Sequence, residues 1–148
     1  NMGKAVPGGD MKIDKDGEKI TLTPVSVGNP HAVIFVDDIS TAPLTALGPK
    51  IERHEAFPDG VNVEFVQVLK RNELRMRVWE RGSGVTMACG TGACASAMAA
   101  AAKGYCDFGV PIFVHLDGGT LEILIDSDNT VTMTGPAETV YEGEIEIW

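Results

Sequence analysis

From Thr91 to Lys103 the chain is almost entirely Ala, Ser, Met and Cys, with no Pro, no Gly after Gly92 and no charge before Lys103. These are mostly good helix formers, small on every face. Such a helix has no polar side to turn to water, so it must be enclosed all round rather than laid on a surface. Gly104 directly after Lys103 is the expected stop. Everything else in 148 residues must then serve as the wrapping.

The flanking segments read as strands. Ile20 to Val27 alternates and is β-branched, Ala32 to Val36 is a short apolar run, and Val61 to Val68 alternates strictly. Leu74 to Glu80 returns after a turn at Asn72. Ile112 to Leu116, Leu121 to Ile125, Thr130 to Thr134 and Val140 to Trp148 follow, separated by Asp-Gly-Gly, Ser-Asp-Asn and Gly-Pro-Ala breaks. Residues 1–19 are rich in Gly, Pro, Lys and Asp, and Lys15-Asp16-Gly17-Glu18 reads as a turn, either a hairpin tip or a frayed linker. Leu44 to His54 has a helical cast, with Pro43 and Pro49 limiting it to short pieces. The sum is an α+β fold: seven or eight strands, mostly antiparallel and curled into a barrel-like sheet around one central apolar helix.

The chemistry concentrates just before that helix, in Trp79-Glu80-Arg81-Gly82-Ser83-Gly84 and Cys89-Gly90-Thr91-Gly92. The first N–H groups of a helix lack internal partners, and the macrodipole adds partial positive charge there. Both favour a thiolate at Cys89. Gly90 and Gly92 let an anion approach the backbone, so a carboxylate fits on the N–H groups of Gly90 and Thr91. Arg81 suits a carboxylate and Glu80 an ammonium. Asn29 in Gly-Asn-Pro-His and Asn62 in mid-strand offer amides, and His31 can tune a nearby thiol. Together these describe a pocket for a molecule with both carboxylate and ammonium groups.

Several classes are set aside. The net charge of −9 does not suit nucleic acid or an anionic membrane surface. Three cysteines, Cys89, Cys94 and Cys106, are too few and too oddly spaced for a disulfide framework or a zinc site, and fit a reducing cytoplasm. No Walker loop, dinucleotide fingerprint or Schiff-base lysine stands out, so neither metal nor cofactor is expected. The opening Asn1-Met2-Gly3-Lys4 looks like the start of a fragment.

At Gly28-Asn29-Pro30-His31-Ala32-Val33, Gly60-Val61-Asn62-Val63-Glu64-Phe65, Trp79 to Gly84 and Ala88-Cys89-Gly90-Thr91-Gly92-Ala93, the chain closely resembles the C-terminal half of diaminopimelate epimerases. The resemblance implies a cofactor-free 1,1-proton transfer between LL- and meso-diaminopimelate, run by two cysteines. It makes Cys89 one of the two bases, with His31 and Glu80 tuning the thiols. Asn29, Asn62, Glu80 and Arg81 would hold the distal end of the substrate, and Gly90 and Thr91 the reacting carboxylate. The family's second cysteine sits in an N-terminal half, in a Cys-Gly-Asn-Gly context absent here. Residues 1–148 are therefore expected to be a single domain, half an enzyme and inactive alone. Residues 140–148 would belong to the missing half's sheet, and exposed apolar surface would invite that half or a second copy to dock. Two other readings remain: a related amino-acid racemase, and a thiol hydrolase with Cys89 as nucleophile and His31 as base.

Overall fold

The apolar helix sets the architecture. In the structure, a computed structural model describing residues 1–148, it runs from Gly90 to Ala102 (α2), and every residue from Gly92 to Ala101 is buried. The chain ahead of it forms β1 (Gly3–Lys4), β2 (Val6–Pro7), β3 (Met11–Lys15), β4 (Glu18–Ser26) and β5 (Pro30–Phe35). Helix α1 (Leu44–Glu52), β6 (Asn62–Lys70), β7 (Glu73–Glu80) and β8 (Gly84–Thr86) follow. After α2 come β9 (Ile112–Leu116), β10 (Gly119–Ile125) and β11 (Thr130–Thr134).

The strands lie in the order β1-β11-β10-β9-β7-β6-β5-β4-β2, with β3 paired to β4 and β8 to β7. β1 and β2 sit at opposite ends of that order, yet only Ala5 separates them in the chain. The segment Gly3–Pro7 therefore joins the two edges: Gly3 and Lys4 pair with β11, Ala5 N–H donates to Asn129 O at 3.0 Å, and Val6 and Pro7 pair with β4. This joins the two ends of the main strand order into a barrel, leaving only the short side strands β3 and β8 with a free edge. Two strand pairs, β5·β6 and β7·β9, are parallel. Parallel neighbours need a long crossover, and the two crossovers carry the two helices. One places α1 against the outside of the sheet; the other threads α2 through the inside, where it meets β2, β4, β5, β6, β7, β9, β10 and β11.

Two apolar cores result. The larger has 23 buried residues, built on Ala93, Cys94, Ala97, Met98 and Ala101 of α2 with the inward faces of the strands. The smaller has 11 and packs Leu44, Leu47 and Ile51 of α1 on Leu22, Ile34, Val63 and Phe65. Because β6 is covered on both sides, Asn62 to Val66 are all buried, although their alternation is that of a half-exposed strand.

Three expectations need correction, and one short element is new. The turn at Lys15–Glu18 is a hairpin tip and not a frayed linker: it joins β3 to β4 with Asp16 and Gly17 at positive φ, and the polar segment before it contributes three strands. The region after Pro43 is one nine-residue helix, not short pieces. Pro49 lies inside it and removes a single hydrogen bond, and α1 is held instead by its buried face and by Gly48, where a Cβ would come within 2.5 Å of the Trp79 ring. A short strand, β8, follows the Gly-Ser-Gly turn. No strand forms at 140–148: Val140, Tyr141, Ile145, Ile147 and Trp148 are all fully exposed.

Candidate active site

Cys89 is the N-cap of α2, with extended φ and ψ, and its Sγ accepts a hydrogen bond from Gly92 N–H at 3.3 Å. The first intrahelical bond is Ala93 N–H to Cys89 O, so the N–H groups of Gly90 and Thr91 precede the ladder and face outward as donors. Cys89 is only partly buried, whereas Cys94 and Cys106 are buried. Burial pushes the Cys94 thiol up to about 12 and also raises Cys106. Among the three cysteines, Cys89 is the one a ligand can reach.

A chain of polar side chains runs from that sulfur into the core. Thr91 Oγ1 lies 3.7 Å from Cys89 Sγ and accepts from Asn29 Nδ2 at 3.3 Å. Asn29 Oδ1 is 3.0 Å from His31 Nε2, so that nitrogen carries a hydrogen. His31 Nδ1 is 2.7 Å from Glu64 Oε1, and both side chains are completely buried. Glu80 stands on the next strand, its Oε1 accepting from Thr86 Oγ1–H at 2.6 Å. The register explains the convergence: His31 on β5 pairs with Asn62 on β6, and Glu64 pairs with Val78 on β7, so three adjacent strands deliver these groups to one end of α2.

The electrostatics correct one expectation. The helix N-terminus was expected to acidify Cys89, but its thiol is raised above the ordinary cysteine value. Desolvation is the largest cause and outweighs the donors Gly92 N–H and Thr91 O–H; the carboxyls of Glu64 and Glu80 push the same way. Burial also raises Glu64, against the opposing pull of His31.

The structure gathers Asn29, His31, Glu80, Cys89, Gly90 and Thr91 at the mouth of α2. Asn62 and Arg81 form an adjoining brace. Asn62 Nδ2 donates to Pro30 O at 3.1 Å and its Oδ1 accepts Arg81 N–H at 2.9 Å, which ties the Gly-Asn-Pro-His turn to the Trp-Glu-Arg-Gly turn. The Arg81 guanidinium is exposed and donates to Asp59 O at 3.0 Å. His31 does not touch Cys89, both its nitrogens being taken by Glu64 and Asn29, which removes the geometry of a Cys-His nucleophile pair.

Two residues were missed. Glu64 reads as one polar position of an alternating strand, and its signal was that it shares a face with Asn62 two residues earlier. Glu52, at the end of α1, accepts from Trp79 Nε1–H at 2.7 Å and from Gly82 N–H at 2.9 Å, so it fixes the turn that presents Glu80 and Arg81. Nothing local in the sequence marks Glu52, because its partners lie about thirty residues away.

A barrel of strands around a central helix is a fold this chain shares with structures described as a racemase and an epimerase. A probable proline racemase from Agrobacterium radiobacter superposes with a TM-score of 0.63 at 17% identity, over 88% of this chain and 46% of that one. A predicted epimerase from Pseudomonas aeruginosa superposes with a TM-score of 0.59 at 17% identity, over 95% of this chain and 57% of that one. At sequence level the match is far narrower. The family model for diaminopimelate epimerase covers residues 23–140, and the chain belongs to that family. The diaminopimelate epimerase of Bacillus licheniformis is 58% identical over 131 residues, and that of Geobacillus thermodenitrificans 56% over 128. These alignments cover 88% and 86% of this chain but 46% and 44% of the relatives, so the chain spans less than half the length of either.

Proposed function

We propose that this chain is the C-terminal half of a diaminopimelate epimerase, supplying one of two cysteine bases for the interconversion of LL- and meso-2,6-diaminopimelate without a cofactor. The observation that carries the reading is Cys89 as the solvent-reachable N-cap of an otherwise enclosed helix. In the forward step the ionised Sγ of Cys89 takes the α-hydrogen as a proton. The electron pair of the broken C–H bond spreads onto the substrate carboxylate. Gly90 and Thr91 N–H groups, already oriented, meet that growing charge. A thiol on the opposite face then gives its proton to the same carbon and is left as the thiolate, which inverts the centre. Cys94 and Cys106 cannot be that thiol, since both are buried in the core. The second cysteine is therefore assigned to a partner half, with the exposed Val85 and Met87 beside Cys89 on the surface it covers and residues 140–148 in its sheet. The product would feed lysine and peptidoglycan synthesis in the cytoplasm.

The test is epimerisation in D2O. The chain alone, given LL-diaminopimelate, is expected to form no meso isomer above a Cys89→Ala control. Adding a separately produced N-terminal half restores turnover and places deuterium at the α-carbon. Turnover by the isolated chain above that control, or a burst of acyl-enzyme from an activated ester, would overturn the assignment.

A further inference from the structure

Glu64 is the most unusual group in the molecule. It is a carboxyl with no exposed surface, in mid-strand, and its Oε2 has no hydrogen-bond partner at all. Native proteins rarely leave a buried polar atom unmatched, because the orphaned group loses its hydration without replacement. Stability gives no reason to keep it, since an apolar residue of similar size would remove the orphan.

Position supplies the reason. Gly92, in the first turn of α2, has no Cβ, and the space is taken from both sides: Glu64 Oε1 would lie 2.8 Å from that atom and Cys89 Sγ 3.1 Å. Two atoms so placed are no more than about 6 Å apart, inside the range where a buried charge is strongly felt. The hydrogen on His31 Nε2, required by Asn29 Oδ1, fixes the proton count of the neighbouring pair: imidazolium with carboxylate, or imidazole with carboxylic acid, and neutral either way. When that pair loses a proton, one negative charge stays beside the sulfur. Glu80 from β7 adds a second carboxyl and Cys94 lies further along α2; against them stand only His31, beside Glu64, and the N-terminal ammonium, felt at Cys94 and not at Cys89.

We infer that Glu64 is a positioning residue for Cys89: the pocket admits one negative charge, and Glu64 competes for it, holding the thiol in its protonated, proton-donating form while the site stands open. The inference rests on Cys89 being the reactive sulfur of the proposed function. It goes further by assigning the residue that sets when that sulfur ionises. A half-buried sulfur is also less prone to oxidation as the thiol than as the thiolate.

The test needs no substrate, so it stands or fails apart from the epimerase assignment. Alkylation of Cys89 by iodoacetamide is followed by mass spectrometry from pH 6 to pH 11 in the wild type, Glu64→Gln and Thr91→Val. Glu64→Gln keeps the shape and deletes the charge, so its inflection is expected to fall by about one pH unit or more, with roughly tenfold more thiolate near neutrality. Thr91→Val deletes a donor, so its inflection moves the opposite way. Cys94 and Cys106 stay unreactive throughout, which separates a change of charge from a loosened fold. The second measurement uses the wild type alone. The carbon shifts of Glu64 Cδ and Cys89 Cβ are expected to titrate together, each curve carrying the inflection of the other. An unchanged or raised inflection in Glu64→Gln, general reactivity of all three cysteines, or independent carbon titrations would each overturn the inference.

Discussion

Gly92→Ala is the sharpest single test of how the site is packed. The new methyl carbon would sit 2.8 Å from Glu64 Oε1, 3.1 Å from Cys89 Sγ and 3.3 Å from Cys89 Cβ. None of these can yield cheaply. Glu64 is completely buried and tied to His31 at 2.7 Å, and Cys89 is fixed as the N-cap by Gly92 N–H at 3.3 Å. Alanine has an intrinsic helical advantage of up to about 1 kcal/mol over glycine. Overpacking a fixed site costs about 1–3 kcal/mol, and disturbing a buried, hydrogen-bonded carboxyl adds to that. The net expectation is a loss of about 1–3 kcal/mol, read as a lower urea midpoint at unchanged slope. Gly90→Ala is the control two residues earlier. Its methyl would meet only the Sδ and Cε of Met133, both at 3.2 Å, the movable end of a flexible side chain, so it should be nearly neutral. The loss should persist in a Glu64→Gln background, because Gln fills the same volume. If Gly92→Ala proved as stable as Gly90→Ala, the crowding of carboxyl and sulfur over the first turn of α2 would be wrong.

Three other outcomes follow from the packing and the charges. Glu52→Gln should cost about 1 kcal/mol at neutral pH, since one amide oxygen replaces two acceptors for Trp79 and Gly82. The Trp79 hydrogen bond holds the Glu52 carboxyl below its usual range, so its contribution is present above the unfolded-state pKa and lost as pH falls through the folded one; melts of wild type and variant should converge in acid. Met98→Ala, at the centre of the larger core with no exposure, should lower stability by about 2–5 kcal/mol in the same urea assay. Ending the chain after Thr139 should leave the unfolding free energy within about 0.5 kcal/mol of wild type in the urea assay, because the side chains removed are exposed.

The fold was legible where one local rule governed a segment. An all-apolar helix between Cys89 and Gly104 requires an enclosing sheet, and the sheet is there, with Gly104 at positive φ as the stop. What the sequence concealed was long-range pairing. Nothing in Met2 to Pro7 announces that it bridges β11 and β4, because each short strand takes its hydrogen bonds from partners that lie distant in the sequence. Pro49 failed as a breaker because the packing of Leu47 and Ile51 outweighs one missing hydrogen bond.

The site divides along the same line. Cys89 and its glycines were legible because helix N-capping is local chemistry. The expected acidity was not, because the sign of a thiol's shift depends on what encloses it. Two half-turn donors set Cys89 one way, and desolvation with two carboxyls from neighbouring strands sets it the other, with the larger effect. Glu64 exemplifies the difficulty. Its alternation in β6 says solvent, and it would face solvent if α2 ran outside the barrel. The crossover from β7 to β9 carries α2 through the interior instead, and that choice of route buries Glu64 against Cys89. The topology of the crossover thus controls the charge state of the sulfur, and a strand-by-strand reading has no access to it.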